Sequence, residues 1–105
     1  MIRITNICLS LDFDFSSLKE VAARQLNINS SKIKEVHLYK KSVDARKKDN
    51  IKFNCSINVI VNDNEKNVVK LCGNKNASII KPYHYNISSC KKLKSRPVVV
   101  GFGPA

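Results

Sequence analysis

Ile51-Lys52-Phe53-Asn54-Cys55-Ser56-Ile57-Asn58-Val59-Ile60-Val61 decides the fold. Ile51, Phe53, Cys55, Ile57, Val59 and Val61 recur at alternate positions, and the residues between them, Ile60 apart, are polar. Successive side chains of a strand point to opposite faces, so the pattern describes a strand with one face on a core and the other largely wet. Antiparallel sheets have this one-sided character, whereas strands of parallel sheets are buried on both faces and read as continuous apolar runs.

Upstream, Ser42-Val43-Asp44-Ala45-Arg46-Lys47-Lys48-Asp49-Asn50 is a polar connection suited to a hairpin or long loop. It leads back to a segment from Ile33 to Val43 that alternates imperfectly around Val36 and Leu38. At the N-terminus, Ile2, Ile4, Asn6 and Cys8 fall on one face of a strand and Ile7 and Leu9 on the other, ended by Asp12 and Asp14. Ser17-Leu18-Lys19-Glu20 fits a capping box, in which serine and glutamate satisfy each other's exposed helix amides. Leu18, Val21, Ala22 and Leu26 follow at helical spacing, and Asn27 to Ser31 supplies turn chemistry.

Downstream, Asn62-Asp63-Asn64 is a turn and capping cluster. A helix from Glu65 to Cys72 is expected to turn Val68, Val69, Leu71 and Cys72 inward and to end at Gly73. Ala77 to Lys81 and Tyr83 to Ile87 are expected to supply one more strand, interrupted by Pro82 and therefore at an edge. The order is strand, helix, strand, strand, helix, strand, the split pattern of an α+β, ferredoxin-like sandwich with an antiparallel sheet and two helices on one face. Ser88 to Arg96 lacks periodicity and reads as a linker. The expected organisation is a small domain over residues 1–88, a basic linker over 89–97, and a lone strand and turn over 98–105.

At 105 residues and 43% hydrophobic content the chain holds one small domain with a modest core, burying roughly two thirds of the surface it exposes when unfolded. No run of about eighteen apolar residues exists to span a bilayer. The N-terminus lacks the pattern of a secretory signal, so the expected compartment is the cytoplasm. Cys8, Cys55, Cys72 and Cys90 contain no Cys-x-x-Cys pair, which disfavours zinc. A reducing compartment disfavours disulfides. Cys55 and Cys8 read as small buried hydrophobes.

The net charge of +11 favours anionic partners. The excess is mostly lysine in a chain also rich in Asn and Ile, the bias an A/T-rich genome imposes without selection for a charged surface. Lys40, Lys41, Arg46, Lys47, Lys48 and Lys52 are candidates for a phosphate-contacting patch. Ferredoxin-like sheets also bind RNA by stacking bases on exposed aromatics. However, no Lys/Arg-Gly-Phe-x-Phe pattern is present and Phe53 lies on the apolar face of its strand. His37 and His84 have no nucleophile or carboxylate at an informative spacing, and the basic linker around Cys90 offers that thiol no base. No residue of the chain is expected to be catalytic.

The chain closes on Arg96-Pro97-Val98-Val99-Val100-Gly101-Phe102-Gly103-Pro104-Ala105. An apolar strand entering a Gly-x-Gly turn is the opening of a dinucleotide-binding fold. The first glycine allows the tight turn, and the second lets the backbone approach a pyrophosphate. The run Val-x-Gly-x-Gly-Pro-Ala resembles the FAD-binding fingerprint of disulfide-reductase-like flavoproteins, whose next residue is normally glycine. Together with Lys40-Lys41-Ser42-Val43-Asp44-Ala45-Arg46-Lys47-Lys48, it makes the chain similar to the N-terminal region of a family of uncharacterised bacterial proteins described as FAD-dependent or NAD(FAD)-utilising dehydrogenases.

The resemblance implies a small α/β domain ahead of a flavin domain. Gly101, Gly103, Pro104 and Ala105 would line the FAD pyrophosphate, and NAD(P) is a further cofactor candidate. Lys41, Asp44, Arg46, Lys47 and Lys48 are candidate docking contacts to the downstream flavin domain, or anion contacts. The expectation is an accessory domain of an FAD-dependent oxidoreductase that binds no cofactor by itself, the motif being cut before its third glycine. The alternative is a small basic module for RNA or another polyanion.

Overall fold

The computed structural model describes residues 1–89 and 91–104. Four strands and two helices follow in the order β1 (Ile2–Leu9), α1 (Leu18–Leu26), β2 (Ile33–Asp44), β3 (Lys52–Val61), α2 (Glu65–Cys72) and β4 (Ala77–Ile79), with short 3-10 turns at Phe15–Ser17 and Ser30–Lys32. The sheet order is β2-β3-β1-β4, and each neighbouring pair is antiparallel. This is the ferredoxin-like α+β arrangement, in which each helix carries the chain past one intervening strand.

β3 is the spine of the sheet. Cys55, Ile57, Val59 and Val61 are buried beneath the helices, as their alternation requires, with Ile2 and Ile4 of β1 beside them. Ala22, Ala23 and Leu26 of α1 and Val68 of α2 close the core from above. A fully buried Ile or Leu is worth about 1.5–3 kcal/mol relative to exposure, so Ile2, Ile4, Leu26, Ile33 and Ile57 carry much of the stability.

Three β-bulges correct the faces expected from strict alternation. In β1, Ile4 pairs with Ile57 but Ile7 pairs with Cys55, so Thr5 and Asn6 together oppose Ser56. Asn6 takes the left-handed conformation, at φ 56°. Asparagine tolerates this better than other non-glycine residues. The extra residue moves Ile7 and Leu9 into the core beside Ile2 and Ile4 and turns Cys8 out to solvent, against the expectation of a buried Cys8. In β2, the pairs Ile33–Val61 and Glu35–Ile60, then Leu38–Ile57 and Lys40–Ser56, place extra residues at Lys34 and Tyr39. These slips explain the imperfect alternation of the segment. Each bulge shifts by one residue a pattern whose period is two.

The helix ends differ in how well they follow the sequence. Asn64 caps α2 by accepting from the Lys66 amide at 3.0 Å, and Gly73 closes it at φ 61°. The expected Ser17–Glu20 capping box does not form, because the 3-10 turn runs straight into α1 and leaves Ser17 in a turn conformation (φ −85°, ψ 9°). Asp14 does the capping instead, accepting from the Ser16 amide at 2.9 Å. Asn27, at φ 52°, ends α1 with its amide shared between Ala23 and Arg24 carbonyls. Leu71 is 82% exposed rather than inward, since only the Val68 side of α2 meets the sheet.

β4 stops at Ile79, and residues 80–88 form no strand, although the Ile80 amide still donates to the Met1 carbonyl at 2.9 Å. Pro82 lacks the amide a ladder needs and Tyr83 to Ile87 lie exposed. The expected lone strand over Val98–Val100 is likewise not formed: among the described residues, no neighbouring strand pairs with it. Among the described residues, no helix is long and apolar enough to cross a membrane.

Candidate functional site

Helices cover one face of the sheet and leave the other open. The two bulges of β2 decide which of its basic residues lie on which face. Lys41, paired with Cys55, is on the helix side, where its Nζ sits 4.0 Å from the Phe53 ring centroid and 4.4 Å from that of Phe15. Its ammonium therefore caps an aromatic pair whose centroids are 6.1 Å apart. The structure thus parts Lys41 from Asp44, Arg46 and Lys47, with which the sequence groups it. Lys40, opposite Ser56, stays on the open side.

Where β1 finishes and β3 begins, the open face ends in a concavity of about 540 Å³ lined by Cys8, Asp44, Arg46, Lys47, Asn50 and Lys52. Asp44 lies directly across from Lys52 in the ladder. It accepts two hydrogen bonds from the Arg46 guanidinium, from Nε at 2.9 Å and Nη2 at 2.7 Å, and a third from the Arg46 amide at 3.3 Å. The Arg46 side-chain and backbone donors pull the Asp44 carboxyl down from 3.8 to about 2, and Asp44 in turn raises the guanidinium. Lys48 is exposed on the same connection and does not line the concavity.

Cys8 escapes a sequence-based search for site residues because strict alternation puts it inside. One signal points the other way: Asn6, a residue at home in left-handed conformations, stands where an apolar side chain is due. Burial raises the Cys55 thiol, and that group is sealed in the core.

The opposite end of the open face carries Arg3, Tyr39 and Asn58. Arg3 Nε donates to Asn58 Oδ1 at 2.9 Å, and its guanidinium carbon lies 3.5 Å from the Tyr39 ring centroid. The guanidinium thus occupies a face of the Tyr39 ring on the open side. His37 Nε2 lies 3.2 Å from Glu35 Oε2 at the exposed edge. His84 stands in the irregular segment between Tyr83 and Tyr85, whose ring centroids are 6.4 Å apart. Among the described residues no group of three or more His, Cys, Asp and Glu is arranged to hold a metal ion.

The second candidate is the closing segment. Val98, Val99, Val100 and Phe102 are between 72% and 102% exposed, with no cover among the described residues. Gly101 adopts φ +86°, a conformation that needs glycine and that a tight phosphate-loop turn uses. Gly103 has no positive φ, and a Cβ at that position would meet no atom within 4 Å, so nothing among the described residues requires glycine there. Of the expected glycine turn, the described residues display the positive φ at Gly101 and no requirement for glycine at Gly103. Ala105, the last of the expected cofactor contacts, and Cys90 lie outside the described residues.

A protein of Clostridium beijerinckii described as uncharacterised is 41% identical over 106 residues, covering 99% of this chain and 20% of that protein. The chain thus spans about a fifth of the length of this relative. Residues 1–60, from β1 nearly to the end of β3 and including every residue of the basic concavity, match the domain of unknown function DUF8436. With that match running over more than half its length, the chain belongs to the DUF8436 family.

Proposed function

We propose that this chain is the N-terminal accessory domain of a cytoplasmic FAD-dependent oxidoreductase, non-catalytic by itself. The observation that carries the reading is the closing segment: an exposed Val98–Val100 run leads into Gly101 at φ +86° and a Gly103 whose lack of a side chain no neighbour explains. A nucleotide-binding domain that packs around this segment would give Val98–Val100 a sheet to join and would use the left-handed turn at Gly101. Gly101, Gly103, Pro104 and Ala105 would then approach the FAD pyrophosphate through their backbone. FAD would supply the redox chemistry, and this chain's share is turn geometry and close approach. The length of the Clostridium beijerinckii relative, about five times that of this chain, leaves room for such a domain.

The compact domain of β1 to β4 would cover the flavin domain or gate its substrate, a role suggested by its charge and by its place ahead of the motif. The test is the absorption spectrum of the full-length Clostridium beijerinckii relative. A flavin spectrum, or its recovery when the purified protein is mixed with FAD, is expected. A colourless protein that takes up no FAD would contradict the reading. If the 105-residue chain instead binds single-stranded RNA tightly at near-physiological salt, the rival polyanion-binding reading replaces it.

A further inference from the structure

We infer that the concavity walled by Arg46, Lys47, Asn50 and Lys52 around Cys8 binds a small phosphate-bearing molecule. This inference does not rest on the flavin reading, since every residue it uses lies within the family's matched segment and none belongs to the glycine turn.

The argument begins with charge. Arg46, Lys47 and Lys52 converge on one depression with Asp44 as its single carboxylate. Asp44 is committed to Arg46 through both guanidinium and amide contacts. Among the described residues Lys47 and Lys52 form no ion pair, so the depression carries two positive charges in excess. Like charges gathered on one surface repel, and a ligand that neutralises them is favoured by the same interaction. A phosphate monoester brings a charge of about −1.5 to −2 at pH 7, which matches that excess, whereas a single carboxylate leaves half of it.

Geometry adds the second strand of the argument. Asp44 holds the Arg46 fork in place while engaging two of its five N–H donors, leaving the rest for an incoming oxyanion. Lysine contributes as a point charge and arginine as an oriented fork, the combination that phosphate oxygens accept well. Asn50 offers an uncharged amide at the rim. The Asn6 bulge clears an apolar side chain from the floor and puts the small Cys8 thiol there. The volume, about 540 Å³, lies within the roughly 300–1,000 Å³ usual for small-molecule sites. It is ample for a phosphate with an attached organic group.

The test is a two-dimensional amide NMR titration of the 105-residue chain with pyrophosphate, against sodium chloride at matched ionic strength. Saturable shifts confined to Cys8, Arg46, Lys47, Asn50 and Lys52, with affinity lowered about tenfold by either Lys47→Ala or Lys52→Ala and unmoved by Lys70→Ala on α2, are expected. Both lysines are exposed, so the variants should keep the wild-type spectrum elsewhere. Shifts reproduced by sodium chloride, or insensitive to both substitutions, would overturn the inference. So would an RNA oligonucleotide that binds more tightly than pyrophosphate and perturbs Arg3, Tyr39 and Asn58 as strongly as the concavity, because the surface would then be a nucleic-acid track.

Discussion

Asn6→Val is the perturbation that probes the fold and the basic concavity together. Asn6 sits at φ 56°, and a non-glycine residue forced into the left-handed region loses about 1–2 kcal/mol, most of all if β-branched. The competing state is a regular β1 without the bulge. It would put the introduced valine and Cys8 inward and expel Ile7 and Leu9, now 4% and 7% exposed. Expelling two such side chains costs about 3–6 kcal/mol, and burying the valine and Cys8 in sites shaped for neither recovers only part of that. The bulge should therefore persist, with the strain appearing as lost stability of about 1–2 kcal/mol in urea unfolding. For a domain of this size that corresponds to a melting temperature lower by roughly 5–15 °C. Asn6→Gly should lose nothing, because glycine adopts this conformation freely. Cys8 should react with a thiol reagent in the native wild type and in both variants. An Asn6→Val protein as stable as wild type, with Cys8 protected, would mean that β1 runs straight and that the reasoning is wrong.

The other predictions use different parts of the molecule. Ile57→Ala, at the fully buried centre of β3, should cost about 2–5 kcal/mol in denaturant unfolding. In native thiol labelling, Cys55 should stay unmodified until unfolding, since it is sealed in the core and burial raises its thiol. The Asp44 carboxyl, followed by NMR, should titrate near 2 and return toward 3.8 in Arg46→Ala. Its folded-state value is depressed, so its contribution to stability is present above the unfolded value. That contribution is lost as pH falls from about 4 through 2, and Arg46→Ala should flatten the acid limb of the stability profile in that window.

How much can be read from the sequence depends on whether a local signal is also a sufficient one. β3 is legible because Phe53, Cys55, Ile57, Val59 and Val61 alternate without interruption, although Ile51, expected to extend the pattern, stands just before the strand and is exposed. α2 is legible because Asn64 and Gly73 mark its ends chemically. β1 and β2 are legible as strands but not in their facing, because three bulges shift the alternation and the tertiary preference for burying Ile7 and Leu9 outweighs it. That slip hides Cys8 as a surface residue, and Lys41 joins the Asp44–Arg46 cluster in sequence but not in space. The Ser17–Glu20 pair has the spacing of a capping box, but the 3-10 turn that Asp14 caps takes its place. Tyr83 to Ile87 and Val98 to Val100 have strand composition without a partner strand among the described residues, and composition alone does not make a ladder. From the sequence, Asp44 and Arg46 are named together as candidate docking or anion contacts, and the structure joins them as a bidentate pair.

The most direct test of the central claim is chemical identification of the cofactor in the full-length Clostridium beijerinckii relative, purified without added flavin, acid-extracted and analysed by chromatography. The account predicts FAD, close to one molecule per chain. A protein that releases no flavin and gains none on incubation with FAD would contradict it.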